Sequence, residues 1–196
     1  MVVILGTAHL SSTPGKRSPD GLFREYKYSR EICQLIKERL VSLGINCIID
    51  YPDDDMVGLT SSQELVKRVK IVNDVCNKKG VNNVIYVSIH VNASISPNWD
   101  VATGFSVYTS PGKTKSDTLA TYIYNEAKST LAPLGKKVRG CLEENFYVLR
   151  KTKCAAVLTE NFFQNNKNDI AFLSSTEGRN AIVEYHVKGI LDYLKK

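Results

Sequence analysis

The chain has 196 residues, 43% hydrophobic and 23% charged, and its formal net charge is 26 − 20 = +6. These are ordinary globular values, so intrinsic disorder, collagen and coiled coil are excluded as descriptions of the whole chain. The length suits one domain with a sizeable core, and no apolar run approaches the roughly 20 residues of a membrane helix.

The positive charge permits an anionic partner, whether nucleic acid, cell wall or membrane surface, without naming one. Its carriers are scattered, as at Lys16/Arg17, Lys67/Arg68/Lys70 and Lys136/Lys137/Arg139, which is how solvated faces read. Five cysteines, an odd number with no C-x-x-C pair, argue for free thiols in a reducing compartment. Cys33 and Cys47 lie in apolar stretches and read as small core residues. The N-terminal run through Leu5 is too short for a signal peptide and lacks a basic flank, so it reads as a first strand.

In chain order, residues 2–5 are that strand, followed by a polar loop rich in Ser, Pro and Gly to Gly21. Ile32, Leu35, Ile36, Leu40 and Leu43 recur at helical spacing and predict a helix over 25–43, ended by Gly44. Residues 46–51 form a second strand, with an acidic turn at Asp50, Asp53, Asp54 and Asp55 that lacks the spaced ligands of a calcium loop and reads as solvated. Ser61-x-x-Glu64 reads as a capping box opening a helix with Leu65, Val69, Val72 and Cys76 on its apolar face. Residues 84–89 are the third strand. After a loop through Pro97 and Trp99 come a half-buried strand over 104–109 and a helix over about 114–131. Two further strands follow, over 146–149 and 155–159. Ser174-x-x-Glu177 caps a last helix carrying Ile182, Tyr185, Gly189 and Tyr193; His186 reads as a helix-face or partly buried residue, and Glu143 and Glu144 as solvated. Alternating strands and helices predict an α/β fold, a twisted, largely parallel mixed sheet with helices on both faces.

In open α/β sheets, ligands bind at the carboxyl ends of the strands. His9 follows the first strand, His90 the third and Glu160 the last, and Glu25 reaches the same rim if it opens the first helix. Two of the chain's three histidines therefore converge with two carboxylates. Two imidazoles and a carboxylate are a common ligand set for catalytic zinc, which leaves a position for water. A further carboxylate off the metal suits a general base.

At these residues the sequence resembles the zinc-dependent N-acetylmuramoyl-L-alanine amidases of the amidase-3 type. The matching stretches are Val3-Ile4-Leu5-Gly6-Thr7-Ala8-His9, Arg24-Glu25, Val87-Ser88-Ile89-His90-Val91-Asn92-Ala93 and Ala156-Val157-Leu158-Thr159-Glu160-Asn161-Phe162-Phe163. Arg68 and Asn73 fit the helix before the S-I-H-x-N-A strand, and residues 104–108 and 146–150 fit later strands. The resemblance runs through the whole chain in order. It implies zinc ligands at His9, Glu25 and His90, a catalytic glutamate at Glu160, and peptidoglycan as the partner, with no nucleic acid and no membrane span. The implied reaction is hydrolysis of the amide joining N-acetylmuramic acid to L-alanine. Leu10 stands where the family carries a glycine, the loop 11–21 resembles that of phage members, and the stretch 94–103 is too short for an autoinhibitory helix. Lys16, Arg17 and Arg24 are candidates for stem-peptide carboxylates.

Three rivals remain at this stage. They are a zinc carboxypeptidase on the stem peptide, a cysteine hydrolase using Cys154 or Cys141, and a non-catalytic module binding cell wall or nucleic acid. The expectation is one catalytic domain over 1–196 without a separate wall-binding domain. It would be made in the cytosol and released at host lysis as an endolysin is, or secreted with its signal removed.

Overall fold

The apolar residues of the first strand alternate between two faces, and both faces are covered. A computed structural model describes residues 1–51 and 58–196; Asp53, Asp54 and Asp55 lie outside the described residues. The elements are β1 (Val2–Thr7), α1 (Glu25–Ser42), β2 (Asn46–Ile49), α2 (Ser61–Lys79), β3 (Val84–Asn92), β4 (Phe105–Thr109), α3 (Lys115–Leu131), β5 (Val138–Glu143), α4 (Tyr147–Lys151), β6 (Ala155–Phe163), α5 (Lys167–Ser174) and α6 (Thr176–Leu194). They build one sheet in the order β2-β1-β3-β6-β4-β5. The first four strands are parallel, β4 runs antiparallel to β6, and β5 runs parallel to β4. This is the α/β mixed sheet that the alternation predicts.

Val3, Leu5, Ile85, Val87, Val157 and Phe105 pack against α1, α3, α5 and α6. Ile4, Tyr86, Ala156 and Leu158 face α2 and α4. Strands buried on both faces read as continuous apolar runs, which is why β1, β3 and β6 are legible in sequence. Close approach explains two glycines. A Cβ at Gly6 would run into the Tyr86 ring, and one at Gly189 would lie 2.6 Å from Ile123 Cα, where α6 crosses α3. No helix among the described residues is long and apolar enough to cross a membrane.

The structure corrects several local readings. Residues 146–149 are not a strand: Phe146 sits at the N-cap of the short helix α4, and Arg150 N–H donates to Phe146 O at 3.0 Å. Four apolar residues are too few for periodicity to separate the two states. The edge strand β5 escapes the pattern because its exposed positions carry no regular apolar alternation; Glu143 ends it, and Glu143 and Glu144 are exposed as expected. Helix α2 is capped one residue earlier than predicted, by a box between Thr60 and Gln63, which frees Glu64 to be buried. Ser174 ends α5, and Ser175 caps α6 by accepting from Gly178 N–H at 2.9 Å. Asp50 is not a solvated turn residue but a buried carboxylate, and His186 is wholly buried.

Candidate metal centre

Three elements each bring one potential ligand to the carboxyl rim. β1 ends at Thr7, and His9 follows in the left-handed region at φ 48°. Its carbonyl holds that turn by accepting from Arg30 Nη1 at 3.1 Å and Arg68 Nη2 at 3.4 Å. Glu25 is the first residue of α1, where the helix dipole favours a carboxylate. His90 lies inside β3, which continues to Asn92, and Glu160 inside β6, so neither strand ends where the apolar run does. The two residues are register partners on adjacent strands.

Ser29 ties the three ligand-bearing elements together. From α1 its Oγ accepts Ala8 N–H at 2.8 Å and donates to Ile89 O at 2.7 Å. The ligand atoms of His9, Glu25 and His90 come within 4.8 Å of one another. Glu25 Oε1 lies 3.5 Å from His9 Nε2 and 3.2 Å from His90 Nδ1, and accepts Val91 N–H at 3.1 Å. The two imidazole rings meet edge to face at 5.0 Å. His90 Nε2 reaches Ser88 Oγ at 3.1 Å. With Nε2–H donating there, Nδ1 turns its lone pair toward the carboxylate, the second-sphere arrangement that orients a histidine ligand.

The electrostatics suit a cation. Burial works to raise the Glu25 pKa, but the two imidazoles outweigh it and hold the carboxyl below the usual range. Burial pushes His90 down to about 4 despite the neighbouring Glu25. An ionised carboxylate beside a neutral imidazole is the protonation pattern a metal needs. Glu25 Oε2 is buried without a hydrogen-bond partner, a group that asks for a positive neighbour. The residues present therefore fit a divalent ion such as zinc.

Glu160 borders the same cavity, of about 220 Å³, which is also lined by His9, His90, Lys16, Leu65, Phe146 and Tyr147. Helix α4, misread as a strand, is thus a wall of the site. Burial, then the Glu25 charge, push the Glu160 pKa well above the usual carboxylate range, opposed by Lys16. A carboxyl raised in this way is suited to taking up and passing on a proton. Just beyond it, β6 carries a bulge opposite β3, with Phe162 buried at φ 66°. Bulges of this kind re-aim side chains beside active sites.

The chain matches the amidase-3 family, N-acetylmuramoyl-L-alanine amidase, over residues 3–192. It belongs to that family. It is 35% identical over 157 residues to the N-acetylmuramoyl-L-alanine amidase CwlM of Bacillus licheniformis, covering 80% of this chain and 58% of that protein. It is 33% identical over 118 residues to the endolysin of Bacillus phage SPP1, covering 56% of this chain and 40% of that protein. The chain thus spans about half the length of these relatives. Among solved structures, an N-acetylmuramoyl-L-alanine amidase of Nostoc punctiforme superposes with TM-score 0.80 at 26% identity, covering 100% of this chain and 98% of that one. One from Clostridium difficile 630 shares the fold with TM-score 0.84 at 24% identity, over 100% and 97% of the two chains.

Of the predicted basic residues, Lys16, Arg17 and Arg24 all border a small cavity of about 190 Å³ between the loop before α1 and the first turn of α1. Only Lys16 also lines the metal cavity. Arg24 Nε donates to Gly21 O at 3.1 Å and so braces its own loop. Leu10, at the family's glycine position, is buried. Burial raises the thiol pKa of Cys154 and brings Cys141 to about 11, the opposite of what a cysteine nucleophile requires.

Sequence reasoning missed the supports. Asn161 Nδ2 donates to His90 O at 2.8 Å, and Tyr185 O–H donates to Asn161 Oδ1. His186 bonds Thr159 Oγ1 at 2.9 Å and Ile182 O at 2.8 Å. Ser88 and Asn161 lie inside the stretches that carry the resemblance, and that position was the one signal that could have marked them; Tyr185 and His186, on α6, carried none.

Proposed function

We propose that the chain is a zinc-dependent peptidoglycan hydrolase acting at the cell wall on the amide between N-acetylmuramic acid and L-alanine. The carrying observation is the His9–Glu25–His90 cluster, with the raised carboxyl of Glu160 lining the same cavity. Bound there, zinc would supply Lewis-acid polarisation and an acidified water. Glu160 accepts the proton of the attacking water and returns it to the leaving nitrogen of L-alanine, so the carboxyl ends the cycle as it began. Ser88 keeps the His90 imidazole turned to the site, and Ser29 and Asn161 keep its backbone fixed. Lys16, at the cavity, and Arg17, beside it, meet anionic parts of the substrate, and Arg24 shapes the loop that carries them.

The test digests purified peptidoglycan with the protein, with and without a strong zinc chelator, and reads the products by mass. New N-terminal L-alanine and peptide-free glycan, both lost on chelation, are expected. Release of D-alanine or stem-peptide fragments would move the bond and make the protein a peptidase. Chelation should also lower Tm, because a ligand bound only to the folded state stabilises it; an unchanged Tm with unchanged activity would remove the metal from the reading.

A further inference from the structure

One row of side chains crosses the sheet at the level of the metal centre. His90 on β3 stands opposite Glu160 on β6, Glu160 opposite Ser106 on β4, and Ser106 opposite Gly140 on β5. Residues directly opposed on an antiparallel pair project from the same face, with Cβ atoms about 4.5–5.5 Å apart. For Glu160 and Ser106 that face is the one covered by α2 and α4. Leu158 and Tyr108, each two positions away and opposed in turn, pack in that layer. The metal centre and its acid–base group use the first two positions of the row and leave Ser106 without a role.

Ser106 is fully buried, yet its Oγ has no hydrogen-bond partner, and Glu160 Oε2 has none either. Buried polar atoms are nearly always paired, and both of these are shut off from solvent. Two such atoms on directly opposed residues can satisfy each other. Rotation about χ1 of Ser106 or the terminal torsions of Glu160 brings them together. The row leaves room for this, because a Cβ added at Gly140 would meet nothing closer than Leu142 Cδ2 at 4.0 Å. Tyr108 senses both groups, although no hydrogen bond joins it to Ser106. Burial and then the Glu160 charge raise its phenol pKa, and the Ser106 hydroxyl opposes them. A hydroxyl also has the right chemistry, since it both donates and accepts. It can donate to Glu160 while that carboxyl is charged and accept from it once the proton has arrived. A fixed donor would favour the charged form alone.

We propose that Ser106 is the positioning residue of Glu160: its hydroxyl bonds Oε2 and so leaves Oε1 turned toward the attacking water. The assignment rests on the amidase reading and on the part that Glu160 plays in it. Ser106 is not among the residues lining the metal cavity, so it acts through Glu160 and not on the substrate. Its hydroxyl adds no bond to the resting fold, which separates its use in the reaction from any use in stability.

The test measures kcat and KM of the zinc-loaded full chain on a soluble N-acetylmuramoyl peptide. Ser106→Ala is expected to lower kcat about tenfold, the weight of a hydrogen bond to a charged group, with KM and bound zinc at wild-type levels. Ser106→Thr keeps the hydroxyl and should recover most of the loss. In a Glu160→Gln background, Ser106→Ala should cost less than about twofold, because residues that act as a unit are not additive. The urea midpoint of metal-free Ser106→Ala should not fall, since the hydroxyl it removes is unpaired. A purely structural serine would lower that midpoint and lose activity equally in both backgrounds. Unchanged kcat, a loss confined to KM, a threonine variant as slow as the alanine one, or the full loss repeated in the Glu160→Gln background overturns the positioning role and leaves the amidase reading intact. A zinc-loaded wild type that does not cleave the peptide from N-acetylmuramic acid overturns the amidase reading and the positioning role together.

Discussion

Two buried ionic clusters sit side by side under the same rim, joined through Thr7 and His9, and they are finished to different degrees. In the first, Asp50 accepts Thr7 N–H at 3.0 Å, Tyr86 O–H at 3.0 Å and Arg68 Nη1 at 2.9 and 3.0 Å, while Arg68 Nε pairs with Glu64 at 2.9 Å. Every charge has its counterpart, and Asp50 and Glu64 outweigh the burial that would lower the Arg68 pKa, so it rises above its ordinary value. In the second, Glu25 crowds against two imidazoles with one oxygen unpartnered, and Glu160 Oε2 is likewise unpartnered. A closed cluster holds the backbone in place; an open one has capacity left for a ligand and a proton. The contrast separates scaffold from chemistry without appeal to likeness.

The largest effect should come from the open cluster. Glu160→Gln keeps the shape of the side chain and removes its proton chemistry, so activity on peptidoglycan should fall about 10²–10⁴-fold. Zinc content, measured by atomic absorption, should stay at the wild-type level. A variant with full zinc and full activity would take Glu160 out of the reaction. In the closed cluster, Arg68→Met should act through stability instead. It strands Asp50 and Glu64 in the interior, a loss of about 3–5 kcal/mol, read as a lower denaturation midpoint in urea. In metal-free protein, Glu25→Gln should shift that midpoint far less. If the two variants destabilise the metal-free protein equally, the distinction between the clusters fails.

The same division shows what could be read in advance. The meeting of His9, Glu25, His90 and Glu160 at one rim was legible because the carboxyl half of a parallel sheet gathers residues far apart in sequence, and because their surrounding motifs resemble a family. Their partners were not. Ser29, Ser88 and Asn161 act through contacts up to 71 positions apart in sequence, and serine and asparagine carry no periodic signal of their own. Asp50 misled because it adjoins other acidic residues, although Arg68 and Tyr86 reach it across 18 and 36 positions. The long apolar runs gave the sheet its centre; the edge strand β5 and the five-residue α4 were too exposed or too short to declare their state.

Acid should act on both histidine-bearing layers. His90 and His186 are each pushed down to about 4 by burial, below the ordinary value near 6.5. Between those values the unfolded chain holds protons that the folded chain does not. The histidines' share of stability is therefore fully present above about pH 6.5 and declines as pH falls toward 4, each adding a slope of roughly 1.4 kcal/mol per pH unit, while Glu160, with its raised pKa, works in the opposite sense. Glu25, with its lowered pKa, extends the loss to still lower pH. Urea denaturation of metal-free protein at several pH values checks this; replacing His186 should flatten the slope by about one proton, and an unchanged slope would mean that His186 is protonated in the fold.

The smallest effect tests whether the open cluster depends on its supports. Tyr185 lies on α6, is fully buried, and meets the site through Asn161, whose amide holds the His90 carbonyl. Tyr185→Phe removes one hydroxyl and keeps the ring against Phe105. The lost hydrogen bond should lower stability by about 1 kcal/mol. If Asn161 positions His90, zinc affinity measured against a competing chelator should also fall several-fold, because outer-sphere partners tune ligand orientation. A purely structural tyrosine would lower the urea midpoint and leave zinc affinity unchanged. That outcome would confine the metal-supporting shell to Ser29 and Ser88, and leave the Tyr185–Asn161 pair as part of the packing of α6 against the sheet.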